Sequence, residues 1–294
     1  MRILNFGSMN VDNVYSVDHV VVGGETISST KREVFCGGKG LNQSVALARA
    51  GASVCHAGAV GTDGDILLEA CRKYGVDISL LRRYPVAGGH TVIQVDKNGQ
   101  NCIILYGGTN QMQTKEYVDE VMSHFGPGDY LVLQNEINLL DYIIDKAYEK
   151  GLKIVLNPSP FDDKLKDCDM SKIWLFMLNE IEGEQFTGIA DFEGILGEMI
   201  RRYPQAKIVL TLGSQGAWYA DSKERIFQDI FPVKAVDTTA AGDTFTGFFV
   251  TSLVTGKSPA ESLRIAAKAS SIAVTRPGAA PSIPSMEEVR SQLV

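Results

Sequence analysis

The sequence lacks any apolar run long enough to cross a membrane. The longest, Ile173 to Leu178, has six residues, whereas a helical span needs about 18. It also lacks a basic surplus: 28 lysines and arginines stand against 35 aspartates and glutamates, a formal charge of −7. That balance argues against a partner such as nucleic acid held by surface charge. Cysteine is scarce and odd in number, five in 294 residues with no Cys-x-x-Cys pair, so no disulfide framework is expected. The four histidines, His19, His56, His90 and His124, form no zinc-like spacing with each other or with a cysteine. The opening residues pass from Met1-Arg2-Ile3-Leu4-Asn5 straight into Gly7-Ser8 without an apolar leader core. A cytoplasmic protein with no membrane partner is therefore expected.

Two nucleotide-loop patterns are missing as well. Gly256-Lys257-Ser258 resembles the end of a Walker loop, but Thr251 stands where that pattern needs glycine, and the segment follows a helical stretch. Gly38-Lys39-Gly40 is followed by Gln43 where a dinucleotide fingerprint needs glycine, which disfavours a Rossmann dehydrogenase. An acidic chain can still hold phosphate where backbone N–H groups meet it.

What is present is alternation. Strands are expected at Arg2–Phe6, Ser53–Val60, Tyr130–Leu133, Lys153–Leu156, Ile173–Leu178 and Lys207–Leu212. Helices are expected at Gly38–Ala50, Asp65–Tyr74, Leu139–Lys150 and Ile195–Tyr203. That rhythm predicts an α/β fold, a doubly wound and mainly parallel sheet flanked by helices. Thr26–Phe35 and His90–Tyr106 break the rhythm, the latter with a hairpin turn at Asn98-Gly99. They read as a small antiparallel sheet serving as a lid or a dimer contact, or else as an extension of the core sheet. One domain over residues 1–294 is expected, with the lid inserted from about 13–36 and 88–108.

Three segments carry candidate chemistry. In Asp237-Thr238-Thr239-Ala240-Ala241-Gly242-Asp243-Thr244-Phe245, a loop becomes a helix, since Phe245, Phe248, Phe249 and Leu253 repeat at helical spacing. Free N–H groups there favour negative charge. Asp243 is either a base able to take a proton from an attacking hydroxyl or a helix N-cap. Gly37-Gly38-Lys39-Gly40-Leu41-Asn42-Gln43 is either a loop packed against a ligand, with Lys39 and Asn42 facing hydroxyls, or a plain junction. Asn10 and Asp12 follow the first strand, two apart and so pointing one way, suited to a polyol or else to an Asx turn.

Taken in order, these segments resemble the ribokinase family of carbohydrate kinases, part of the wider PfkB group. Supporting similarities lie at Asn157-Pro158-Ser159-Pro160, Asn179-Glu180-Ile181-Glu182, Thr211-Leu212-Gly213-Ser214-Gln215-Gly216 and Ala273-Val274-Thr275-Arg276-Pro277-Gly278-Ala279. The resemblance implies transfer of the ATP γ-phosphoryl group to a sugar, at the 5-hydroxyl if the sugar is D-ribose. It implies Asp243 as base, with Ala241 and Gly242 giving backbone N–H groups to the anion hole and Ala240 beside them in the catalytic loop. Asn10, Asp12, Gly38, Lys39, Asn42 and Glu136 would line the sugar pocket. Asn179 and Glu182 would lie near Mg²⁺ and the triphosphate, and Thr211, Gly213, Ser214 and Gly216 beside the nucleotide. Asp237, Thr239, Ala273, Arg276, Gly278 and Ser282 match a monovalent-cation site, for K⁺, several of them through carbonyls. A homodimer through the lid is expected. The lid sequence and Gly107-Gly108-Thr109-Asn110-Gln111 depart from the family pattern. They leave open another furanose, a nucleoside or a 2-keto-3-deoxy sugar acid as substrate. A rival from another class is a non-catalytic sugar-binding protein of the same fold.

Overall fold

A computed structural model describes residues 1–293. Strand β1 (Ile3–Phe6) is buried throughout, and β2 (Asn10–Ser16) follows it after three residues. Then come β3 (Lys31–Gly37), α1 (Lys39–Arg49), β4 (Val54–Ala57), β5 (Ala59–Val60), α2 (Asp65–Tyr74) and β6 (Arg82–Arg83). The hairpin β7 (Gly89–Val95) and β8 (Asn101–Tyr106) precedes α3 (Lys115–Ser123). Regular alternation resumes with β9 (Tyr130–Gln134), α4 (Leu140–Glu149), β10 (Lys153–Asn157), β11 (Ile173–Asn179), α5 (Glu180–Thr187), α6 (Phe192–Arg202) and β12 (Lys207–Thr211). The chain closes with β13 (Ala217–Ala220), β14 (Arg225–Gln228), α7 (Ala241–Val254), α8 (Pro259–Ala273) and α9 (Met286–Ser291).

Eight strands form the main sheet in the order β14-β13-β12-β11-β10-β9-β1-β4. All neighbours from β12 to β4 are parallel, and β13 and β14 add an antiparallel edge. Side chains alternate between two cores. Tyr130 and Val132 join the core with α1, α7 and α8, whereas Leu131 and Leu133 join the one with α3, α4 and α6. Burial on both faces is why these strands read as unbroken apolar runs.

The second sheet runs β3-β2-β7-β8, with its outer pairs antiparallel and its central pair, β2 with β7, parallel. Its strands begin earlier and later than the expected segments. β2 enters the sheet at Asn10, and β3 lies at Lys31–Gly37 instead of Thr26–Phe35 because its register is set by β2, from Asn10↔Gly37 to Ser16↔Lys31. The strand expected over 53–60 breaks at Gly58, after which β5 leaves the main sheet and pairs with β6. The hairpin turns through Asn98-Gly99 as expected, with Val95 opposite Asn101.

Helices α1 and α7 lie side by side, and one glycine sets their spacing. A Cβ on Gly247 would lie 2.4 Å from Ala46 Cβ and 2.7 Å from the backbone of Ala46 and Leu47. Gly247 is one turn beyond Asp243, so this close approach brings the α1 side chains to the carboxylate. Gly247→Val is expected to cost about 1–3 kcal/mol of stability by overpacking. Urea denaturation followed by circular dichroism measures it.

Candidate active site

The chain runs from β1 to β4 on one side of the sheet and from β9 to β12 on the other. The strand order therefore reverses between β1 and β9, and in wound sheets ligands bind beyond the strand ends at that point. Ser8 follows β1 and Glu136 follows β9. The Ser8 hydroxyl donates to Glu136 Oε2, which also accepts the Lys39 N–H at 3.0 Å. Burial pushes the Glu136 carboxyl above the usual carboxylate range, with Ser8 and Lys39 partly offsetting it.

Asn10 and Asp12 face one way from β2, as expected, and each is held by a partner. Asn110 Nδ2 donates to Asn10 Oδ1 at 2.7 Å, while Asn110 Oδ1 accepts the Met9 N–H at 3.0 Å. The Thr91 hydroxyl donates to Asp12 Oδ1 at 2.7 Å. Burial raises the Asp12 carboxyl above its ordinary value, and the Thr91 bond only partly opposes this.

Asp243 is the third residue of α7, and the N-cap is Ala240, in the left-handed region at φ 60°. This rules out the capping alternative for Asp243. A non-glycine residue in that region carries strain of about 1–3 kcal/mol, which functional loops tend to store. Asp243 is 8% exposed and turns its carboxylate to α1 instead of its own helix. It accepts from Asn42 Nδ2 at 3.1 Å and from Gln43 Nε2 at 2.9 Å. The Ala241 N–H is drawn into the turn by the Thr238 carbonyl at 3.1 Å. The N–H groups of Gly242 and Asp243 donate to no protein acceptor among the described residues. Of the two N–H groups expected at the anion hole, Gly242 is thus free in this conformation and Ala241 is engaged.

Lys39 faces the same cleft. Burial pushes its ammonium towards neutrality, but the carboxylates of Asp243, Glu136 and Glu182 outweigh that and hold it above its ordinary value. Asn179 and Glu182 form a capping box at the start of α5. Asn179 Oδ1 accepts the Glu182 N–H at 2.8 Å, and Glu182 Oε2 accepts the Asn179 N–H at 3.0 Å. Asn157 Nδ2 reaches the same oxygen at 3.5 Å. The pair therefore has a structural task in addition to the one expected of it. Lys39, Asn157, Asn179, Glu182 and Asp243 border a polar cavity of about 260 Å³.

Beside it lies a largely apolar cavity of about 360 Å³, where Thr211, Gly213, Ser214 and Gly216 meet Phe231, Phe245 and Ala267. Gly242 and Ala241 border both cavities, so the α7 N-terminus sits where they join. Asp237 ties two loops behind that terminus, accepting the Thr239 N–H at 2.8 Å and the Gly278 N–H at 2.8 Å. Burial alone would raise the Asp237 carboxyl, but these donors hold it below its ordinary value. Arg276 turns away to pair with Glu288, and Ser282 donates to the Ala279 carbonyl at 2.8 Å. Among the described residues no three His, Cys, Asp or Glu side chains cluster as a metal cage.

The sequence pattern of the pfkB family of carbohydrate kinases matches residues 2–286. The chain belongs to that family. This carbohydrate kinase is 35% identical over 292 residues to a ribokinase of Haemophilus influenzae, covering 96% of this chain and 95% of the relative. Among solved structures, an Arabidopsis thaliana ribokinase complexed with ribose and ATP superimposes with a TM-score of 0.87 at 30% identity, covering 99% and 98% of the chains. A Cryptococcus neoformans ribokinase in complex with ADP gives 0.87 at 29% identity, covering 99% of each chain. The expected fold, a wound sheet with a small second sheet, is that of these kinases.

Sequence reasoning gave no role to Ser8, Thr91 or Asn110, although Asn110 braces a pocket residue from within the departing Gly107–Gln111 segment. Nor did it find Asn5 and Gln134, polar side chains that are 0% exposed at strand positions where apolar residues are the rule. That anomaly, an amide inside a buried strand, was the signal available.

Proposed function

We propose that this carbohydrate kinase transfers the γ-phosphoryl group of ATP to the 5-hydroxyl of D-ribose. The observation that carries this reading is the placement of Asp243. A buried carboxylate held by two amides stands at a helix N-terminus with free N–H groups, where a polar and an apolar cavity meet. The polar cavity, bordered by Lys39, Asn179, Glu182 and Asp243, suits the transferring phosphates. The sugar stands at its Lys39–Asp243 end, beside Asn10, Asp12, Gly38, Asn42 and Glu136, and the apolar cavity suits the nucleotide beside Thr211, Gly213, Ser214 and Gly216.

Asp243 takes the proton from the sugar hydroxyl as its oxygen attacks the γ-phosphorus. The Gly242 N–H and the α7 dipole stabilise charge gathering on the transferred group, and ADP leaves into the apolar cavity. Such transfer is mostly positioning and charge stabilisation. Glu182 is a hard oxygen donor beside the triphosphate region, so it suits Mg²⁺, an ion that keeps most of its waters and needs few protein ligands. When bound with ATP, Mg²⁺ supplies neutralising charge on the phosphates. The segments carrying Asp237, Thr239, Ala273, Arg276, Gly278 and Ser282 offer carbonyls and one carboxylate, a donor set that suits K⁺, and lie behind the anion hole. The lid excludes water.

The sugar-acid alternative needs an uncompensated cation in the pocket. Lys39 is already ringed by three carboxylates, which favours a neutral sugar. A homodimer through the lid is supported by β8, exposed along its whole length, with Ile103 55%, Ile104 61% and Tyr106 55% exposed at a sheet edge. No helix among the described residues is long and apolar enough to cross a membrane.

ADP release from ATP with a panel of sugars, with and without K⁺, tests the reading. D-ribose should give the highest kcat/KM. A greater value for a nucleoside or a sugar acid would overturn the substrate, and no turnover with any sugar would revive a binding protein.

Asp12 offers a separate check. Its raised carboxyl means that the folded state holds the proton more tightly than the unfolded chain does. Ionisation as pH rises through the folded-state value therefore removes stability that is present in acid. Asp12→Asn, which keeps an oxygen for the Thr91 hydroxyl, is expected to raise the melting temperature at pH 7.5, with the gain shrinking towards pH 4. The same substitution should raise KM for ribose. Calorimetry across pH beside steady-state kinetics measures both.

A further inference from the structure

A chain of buried amides runs from the backbone of α1 to the Asp243 carboxylate. Asn5 Nδ2 donates to the Gly40 carbonyl at 2.7 Å and to the Ser44 hydroxyl at 2.8 Å. Gln134 Nε2 donates to Asn5 Oδ1 at 3.0 Å and to Gln43 Oε1 at 2.7 Å. Gln43 Nε2 then donates to Asp243 Oδ1 at 2.9 Å and to Asn157 Oδ1 at 3.2 Å. Asn5, Gln43 and Gln134 are each 0% exposed.

The polarity of this chain is forced. A carbonyl only accepts, so Gly40 obliges Asn5 to turn its nitrogen towards α1 and its oxygen towards Gln134. Asn5 Oδ1 obliges Gln134 to present its nitrogen, and both of that nitrogen's protons are then used. Gln134 Nε2 in turn obliges Gln43 to present its oxygen inward. Only one orientation remains for Gln43, with its nitrogen on Asp243. A flipped Gln43 would set an amide oxygen against the carboxylate and two nitrogens against each other.

We propose that Gln43 is a positioning residue for phosphoryl transfer, its amide oriented by Gln134 and Asn5 so that Asp243 is fixed for proton abstraction. The inference rests on the reading of Asp243 as the base. Gln43 also reaches Asn157, which contacts Glu182, so one side chain ties the base to the carboxylate on the nucleotide side. A loosely held base loses rate without losing substrate affinity, and support residues of this kind change activity by roughly 10- to 100-fold.

Three variants test it by kcat, KM and melting temperature. Gln43→Met keeps the volume and removes the donor. It should lower kcat by roughly 10- to 100-fold with the KM values for ribose and ATP near wild type. Gln134→Glu offers only acceptors and reverses the polarity, so it should lower kcat comparably, although residue 134 does not contact Asp243. Gln134→Met leaves Gln43 free to choose the donating orientation and should retain more activity than Gln134→Glu. This order, isosteric but reversed below apolar, is not expected of simple packing. Wild-type kcat in a folded Gln43→Met variant would overturn the proposal, as would equal kcat in the two residue 134 variants. If Gln134→Glu does not fold, Gln43→Met decides alone. Should the wild-type protein phosphorylate no sugar, the reading of the site fails, and that outcome is distinct from wild-type turnover that Gln43→Met leaves unchanged.

Discussion

Asp243→Asn is expected to lower kcat by about 10²- to 10⁴-fold, the range that a positioned general base contributes. Fold and ATP affinity should survive. The variant keeps an oxygen for the Gln43 nitrogen at the place where Asp243 Oδ1 now accepts at 2.9 Å. Its new nitrogen would face Asn42 Nδ2, but Asn42 Oδ1 is buried without a partner. A flip of Asn42 therefore meets the new donor and satisfies that oxygen at once. Steady-state ADP release, ATP titration by calorimetry and a melting curve separate the three quantities. A kcat within a few fold of wild type would remove Asp243 from the role of base.

Glu182→Gln should also give a large loss. An amide oxygen can still accept the Asn179 N–H, so the capping box survives while the charge is lost. Catalytic efficiency for MgATP is expected to fall roughly 10- to 100-fold, with part of it recovered at high Mg²⁺, and the melting temperature should hold. Glu182→Ala removes the reciprocal cap as well and should cost about 1 kcal/mol in stability. Equal activity in wild type and Glu182→Gln would leave the residue a cap and nothing more. The substitution also takes away one of the three carboxylates around Lys39, which a rise in KM for ribose would register.

Much of this arrangement was legible in the sequence because its signals are local. The doubly buried strands announce themselves as apolar runs, and Ile173–Leu178 differs from β11 by a single residue. The stretch 237–245 carries its chemistry on consecutive residues, so Asp243 was visible before any fold was known. Less legible was whatever depends on a distant partner. The extent of β3 follows from its register with β2, which no window of the sequence contains. The antiparallel strands β13 and β14 have four residues each, too few to show a period. The N-cap reading of Asp243 stayed open because α7 starts on a left-handed Ala240, a conformation that alanine composition does not suggest. Asn5 and Gln134 lie far from every motif, and only folding puts them in line with Gln43.

The local and the distant meet at the α1–α7 contact. Gly247 permits it, and two side chains from the motif at 37–43 reach across it to the motif at 237–245. The acidic surface is no obstacle to ATP, because the phosphates are to be met by a helix N-terminus, glycine backbone and Mg²⁺ instead of by exposed lysines.

The most direct measurement is the ³¹P spectrum of the product formed from D-ribose and ATP. Phosphate on the 5-oxygen couples to both protons of that carbon and gives a triplet, formed in step with ADP and absent from the Asp243→Asn reaction over the same interval. A doublet from phosphate on the anomeric oxygen, or ADP accumulating with no sugar phosphate, would contradict ribose 5-phosphorylation by this site.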